Sequence, residues 1–134
     1  MKRIATTILF SLLSVTVYAD GNYGCVMNVS GGLKWVNGSW KLTNFKPENI
    51  LISVKENGSK LKYKSNSFEG EYDCSTENLL TVKTKFLNCH DYFGSVVVFD
   101  EVTLKGGSSF LFGSISKSND RDSLSVNEFT CQKF

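Results

Sequence analysis

Histidine occurs once in these 134 residues, at His90, and proline once, at Pro47. With a single imidazole, a Ser–His–Asp triad and an HExxH-type metal site would both have to rest on His90. No G-x-S-x-G, P-loop or G-x-G-x-x-G sequence is present, so no nucleophile elbow or glycine-rich phosphate cradle is signalled. Nor is there a close C-x-x-C pair. Cys25, Cys74, Cys89 and Cys131 follow one another at spacings of 49, 15 and 42, which argues against a zinc site; no metal or other cofactor is expected. The formal charge is only +2, whereas a nucleic-acid partner would require a strong basic field. Helical periodicity is missing along the whole chain, as are internal repeats and low-complexity tracts.

What is present begins at the N-terminus, MKRIATTILFSLLSVTVYADG. Lys2 and Arg3 form a basic n-region, Ile4 to Val17 an uncharged and mostly apolar stretch, and Val17-Tyr18-Ala19 a cleavage site with small residues at minus three and minus one. Fourteen residues rise only about 21 Å as a helix, short of the ~30 Å hydrocarbon core. The alternative, a buried N-terminal helix, fits that tripartite pattern less well. No cysteine follows Ala19, so neither a lipid nor a membrane anchor is indicated. Residues 1–19 are read as a cleaved signal peptide and residues 20–134 as one small domain exported to the periplasm. Without Lys2 and Arg3, 13 of the 15 basic residues remain against 13 acidic ones, and the mature charge is zero. Residues 20–66 hold seven basic and three acidic groups and residues 67–134 six and ten; within one sheet such halves neutralise each other.

An even number of cysteines in a small exported domain reads as two disulfides, with three possible connectivities. The pairing favoured here is Cys25–Cys131, joining the first and last strands, with Cys74–Cys89 nested inside.

The chain alternates between two-residue periods and Asn/Gly/Ser punctuation, which points to short antiparallel strands. Asn37-Gly38 and Asn57-Gly58 are strong hairpin markers, because both turn residues need positive φ. Around the first, Val36 falls opposite Ser39, Trp35 opposite Trp40, Lys34 opposite Lys41 and Leu33 opposite Leu42. Around the second, Val54 meets Leu61 and Ile52 meets Tyr63. A turn at Asn66-Ser67 then sets Lys64, Lys62 and Lys60 against Glu69, Glu71 and Asp73, with Tyr63 and Tyr72 flanking Gly70. Charges on one face and aromatics on the other make a self-consistent register, so the lysine run reads as a solvated sheet face. Further strands are expected over 79–87, 95–99, 102–105, 109–115 and 124–134, with turns at Gly106-Gly107-Ser108 and 117–122 and one helical turn over 46–49. Nine or ten short strands imply an all-β antiparallel sandwich or barrel. Three Asn-x-Ser sequons, at Asn28, Asn37 and Asn57, are read as chance, two of them being hairpin turns.

The stretch NCHDYFGS, residues 88–95, sets cysteine, histidine and aspartate side by side. A thiol nucleophile must be a thiolate, which a cystine sulfur is not. Neighbours in a strand also point to opposite faces, so Cys89, His90 and Asp91 do not converge. Paired carboxylates such as Asp100-Glu101 or Asp120/Asp122 could do acid–base work, but at hairpin turns such groups are usually solvated or bonded to backbone amides. No catalytic set is assigned. The stretch reads instead as a disulfide-anchored loop presenting His90, Asp91, Tyr92 and Phe93 to a partner, with Tyr92 and Phe93 as core residues the competing reading.

GNYGC at 21–25, SWKLTNF at 39–45, the paired Cys74 and Cys89, and the terminal EFTCQKF resemble features of small periplasmic immunity proteins. Those proteins neutralise peptidoglycan-degrading effectors of the type VI secretion system; periplasmic lysozyme inhibitors are a second likeness. The resemblance implies a rigid β platform whose loop fills the cleft of a cognate secreted hydrolase, with no catalytic apparatus of its own. Lysozyme inhibitors carry a recognisable inserted loop, and only residues 89–94 could play that part here. A muramidase cleft is lined by carboxylates, which suits His90 or a lysine. A homodimer is left open, and the alternative is a structural or adhesive envelope subunit. The export reading predicts that N-terminal sequencing of the periplasmic protein starts at Asp20. Recovery of intact Lys2 and Arg3 from membranes would contradict it.

Overall fold

The computed structural model describes residues 20–78, 85–111 and 123–134. The expected signal segment, the expected turn over 117–122 and parts of the strands expected over 79–87 and 109–115 lie outside the described residues. Among the described residues nine strands form one antiparallel sheet: β1 Gly21–Val36, β2 Ser39–Asn44, β3 Asn49–Lys55, β4 Lys60–Lys64, β5 Glu69–Asn78, β6 Lys85–His90, β7 Val96–Asp100, β8 Lys105–Phe110 and β9 Ser123–Lys133. Strands β3 to β9 follow in sequence order and β9 returns to pair with β1, so eight strands close a barrel and β2 is added beside β1. Of the two expected architectures, the barrel is the one formed.

β1 makes that closure possible by its length. Its first part, Gly21 to Val26, pairs with β3; its last part, Gly31 to Val36, pairs with β2 on the same edge. The opposite edge stays on β9 from Tyr23 to Lys34, with a bulge between Met27 and Val29. Bulges bend a strand and increase its twist, and here the bend falls where β1 exchanges one neighbour for the other. Gly32 is required in this region: a Cβ there would sit 1.9 Å from the Leu124 carbonyl oxygen.

The hairpins follow the expected registers pair for pair around Asn37-Gly38 and from Val54/Leu61 through Lys60/Asp73. Asn37 and Gly38 both have positive φ, 50° and 78°, the condition for a tight turn matching strand twist. At the second turn Glu56, Asn57 and Gly58 all have positive φ and form a short 3-10 turn. Alternation sends Ile50, Ile52, Val54, Leu61, Tyr63, Tyr72, Leu87, Val97, Phe99 and Phe129 into the barrel, where each is buried. Burying each such aliphatic or phenyl side chain contributes about 1.5–3 kcal/mol.

Three expectations fail. Val102 to Leu104 are a turn, because the Asp100 carboxylate accepts hydrogen bonds from the Val102 and Thr103 amides and the Thr103 hydroxyl, while the Leu104 N–H bonds to the Asp100 carbonyl at 2.9 Å. Gly106-Gly107-Ser108, expected as the turn, lies inside β8. Gly106 is in register between Phe99 on β7 and Phe129 on β9, and a Cβ on it would come within 2.5 Å of the Phe129 ring and the Val98 carbonyl. The glycine is there so that a phenyl ring can lie over the backbone. Finally, residues 45–48 form no helical turn. They cross from β2 to β3 while tied to β1 by Phe45 N–H to Ser30 carbonyl (3.0 Å) and Met27 N–H to Glu48 carbonyl (3.1 Å).

Both disulfides join directly opposed residues of neighbouring strands: Cys25–Cys131 across the β1–β9 seam and Cys74–Cys89 between β5 and β6. Replacing Cys25 and Cys131 by Ala removes a link across 106 positions and should lower the unfolding free energy by up to about 4.7 kcal/mol. The same change at Cys74 and Cys89, 15 positions apart, should cost up to about 3 kcal/mol. Urea denaturation of the two double variants checks this order, and a reversed order would contradict it.

Candidate binding site at the open end of the barrel

The two ends of the barrel differ in chemistry. At the end holding the β7–β8 turn, Tyr23, Phe99 and Phe129 fill the interior, with the Tyr23 and Phe99 ring centroids 4.9 Å apart. The Tyr23 hydroxyl donates to Glu101. Burial pushes the Glu101 carboxyl above its ordinary pKa, against the opposing effects of that hydrogen bond and of nearby Lys133.

At the other end the inward positions turn small and polar. Ser30, Ser95, Ser108 and Asn127 are buried. The Ser30 hydroxyl donates to the Asn127 Oδ1 (2.6 Å), and the Asn127 amide donates to the Ser108 hydroxyl (3.1 Å). Above this polar layer the barrel opens into a cavity of about 720 Å³, inside the ~300–1,000 Å³ range of small-molecule sites. One wall is aromatic: Tyr63, Phe68 and Phe110 meet edge to face or tilted, at centroid distances of 4.9–6.3 Å. Phe45 and Phe93 also line it. Glu48 bridges from the β2–β3 crossing to the β4–β5 turn, accepting from the Ser67 hydroxyl at 3.0 Å. Burial alone would raise the Glu48 pKa, but hydrogen bonds from Ser65, Ser67 and the backbone outweigh it and hold the carboxyl below its ordinary value.

The loop expected to meet a partner stands on the rim of this cavity. Cys89 points into the barrel and is joined to Cys74; the described residues contain no free cysteine. His90 ends β6 on the outer face, exposed, directly opposite Asp73 and Val96. Asp91 organises the turn. Its Oδ1 accepts from the Phe93 N–H (2.9 Å) and the Ser95 N–H (2.8 Å), and its own N–H bonds to the Ser95 carbonyl (3.1 Å). Gly94 completes the turn at φ +80°. Tyr92 is 97% exposed and Phe93 61% exposed, so these aromatics are not core. Asp91 and Phe93 line the cavity, whereas His90 and Tyr92 do not. The structure therefore divides the four candidate residues into one anchor, two projecting rings and one outer-face imidazole. Beneath them the Tyr72 hydroxyl is buried with no hydrogen-bond partner among the described residues; burial, then the Asp91 charge, pushes its pKa up.

The lysine ladder lies on the outer face of β4 and β5. Lys60 pairs with Asp73, while Lys62 and Lys64 both reach Glu69, at 2.9 and 3.3 Å. Lys62 thus takes the diagonal acid in place of Glu71, its register partner. The cavity itself escaped the sequence reading: Ser30, Ser95, Ser125 and Asn127 look like ordinary strand and turn residues until closure turns them inward. Among the described residues no group of three His, Cys, Asp or Glu side chains gathers as a metal site.

Compared with protein-family models, curated proteins and solved structures, the chain finds no match. What fold and geometry define is a disulfide-stapled eight-stranded antiparallel barrel with one open, aromatic-lined mouth. Asp91→Ala should free the Phe93 and Ser95 amides and lower stability by about 1–3 kcal/mol. Loss of exchange protection at those two amides checks it; unchanged protection would show that the loop is held by something else.

Proposed function

We propose that this protein is a periplasmic inhibitor of the immunity type, which neutralises a peptidoglycan hydrolase by placing the loop from Asp91 to Ser95 in its cleft. The observation that carries this reading is the pairing of rigidity with exposure. Tyr92 and Phe93 project into solvent, their centroids 5.7 Å apart, from a turn pinned by four hydrogen bonds that involve Asp91. Exposed rings are enriched as interface anchors, and a turn already ordered loses little entropy on docking. The Cys74–Cys89 link, two residues before Asp91, braces the strand that carries it. His90 on the outer face would meet the edge of a carboxylate-lined cleft. The sulfur of Cys89 is committed to cystine and supplies no nucleophile.

The test is inhibition of a purified muramidase acting on peptidoglycan, titrated with the mature protein. A 1:1 end point is expected. Tyr92→Ala should weaken binding by ~30- to 1000-fold, the consequence of truncating a desolvated aromatic anchor worth about 2–4 kcal/mol. His90→Ala should have a smaller effect. Lys62→Ala should change little, because that exposed charge is already paired with Glu69. Loop variants that inhibit like the parent, beside a Lys62→Ala variant that fails, would move the contact surface to the charged sheet face.

A further inference from the structure

The mouth of the barrel holds a space that the loop does not explain. In an eight-stranded barrel the interior is just wide enough for side chains to fill it. The lower layers are filled here by Tyr23, Ile52, Phe99 and Phe129, all buried. In the mouth layer the wall positions are instead Ser30, Ser65, Ser95 and Ser125, and the space they leave is the cavity of about 720 Å³. Ordinary Leu or Phe at these positions would close it. The opposite wall keeps an aromatic cluster that gains nothing from solvent, with Phe68 still 37% exposed.

The charges at the mouth differ in how far their polar atoms are already engaged. Of the two lining carboxylates, Glu48 accepts from Ser67 and Asp91 from the loop amides, so both remain anionic with donors already in place. The lining cation Lys46 has no ion-pair partner among the described residues. Lys34 lies directly opposite the lining residue Ser123, and Lys41 opposite Lys34, on the face that continues the inner wall above the mouth. Lys46 follows Phe45 in the chain, so a cation stands beside the aromatic wall.

We propose that this mouth binds a small amphipathic anion, an aliphatic carboxylate whose chain lies against Phe45, Tyr63, Phe68 and Phe110 while its head meets Lys46. The apolar wall supplies most of the binding by burial, and the lysine selects the charged head. The loop of the partner-protein reading lends Asp91, Phe93 and Ser95 to this lining, but its anchor ring Tyr92 lies outside it, so a change at Tyr92 separates the two sites.

The test is a titration of the isotope-labelled mature protein with decanoate and with decanol, followed by amide chemical shifts. Decanoate should move the amides of Ser30, Phe45, Ser67 and Ser125 and leave those of the outer-face Val98 and Val126 in place. Lys46→Gln should weaken decanoate by roughly tenfold or more, the worth of one charge-assisted hydrogen bond, and leave decanol unaffected. Ser125→Trp should plug the mouth and abolish both, with Tyr92→Ala binding both normally. No mouth shifts up to the solubility limit of decanoate would overturn the proposal. So would shifts centred on Val126, binding that Val126→Lys removes, or equal affinity of the Lys46→Gln variant for decanoate.

Discussion

The seam between β1 and β9 is the contact on which the rest of the structure depends. It runs from Tyr23/Lys133 to Lys34/Ser123, and without it the remaining strands would be an open sheet with two unpaired edges. Such edges invite pairing with other chains. The closure joins residues about a hundred positions apart, so forming it carries a large loop-closure entropy. Cys25–Cys131 lies within this ladder and holds the two strands in register. The bulge after Met27 lets β1 leave β3 and take up β2 without giving up β9.

Closure also gives the barrel two chemically different ends. Tyr23, Phe99 and Phe129 pack the end beneath the Asp100 turn, and Glu101 caps it through the Tyr23 hydroxyl. The other end collects the β2–β3 crossing, the β4–β5 turn and the Asp91 loop around an unfilled mouth lined by Phe45, Ser67 and Phe93 among others. The seam and its disulfide hold both strands that supply Ser30 and Asn127 to the polar floor. The loops at this end stand on a hydrogen-bonded and disulfide-linked wall. On the outside, the paired charges of β4 and β5 form a solvated face away from the mouth chemistry.

Local chemistry made much of this legible. Asn37-Gly38 needs two positive φ values, and those fixed every pair from Val36/Ser39 to Leu33/Leu42. The alternation of lysines with Leu61 and Tyr63 against Glu69, Glu71 and Asp73 fixed the β4–β5 register. The even cysteine count, read with an expected oxidising compartment, pointed to the two disulfides that form. Glycine misled: Gly106 and Gly107 carry the composition of a turn, yet Gly106 exists to admit the Phe129 ring, a long-range reason invisible in sequence. Asp100, whose carboxylate makes the turn, precedes a Val-Thr-Leu run with strand propensity, and three hydrogen bonds to that carboxylate override it. The loop 88–95 could be located from its residues, but the mouth beside it could not. Ser30, Ser95 and Asn127 become a lining only after β9 finds β1.

The most direct test of the account is whether β1 and β9 are neighbours in solution. Cross-strand nuclear Overhauser effects in a chain of residues 20–134 should connect Tyr23 with Lys133, Met27 with Phe129 and Gly31 with Val126. The same contacts should persist when Cys25 and Cys131 are both replaced by Ala, because the ladder and not the staple defines the pairing. Absence of β1–β9 contacts in either protein, with β9 touching β8 alone, would mean an open sheet and would remove the mouth and everything argued from it.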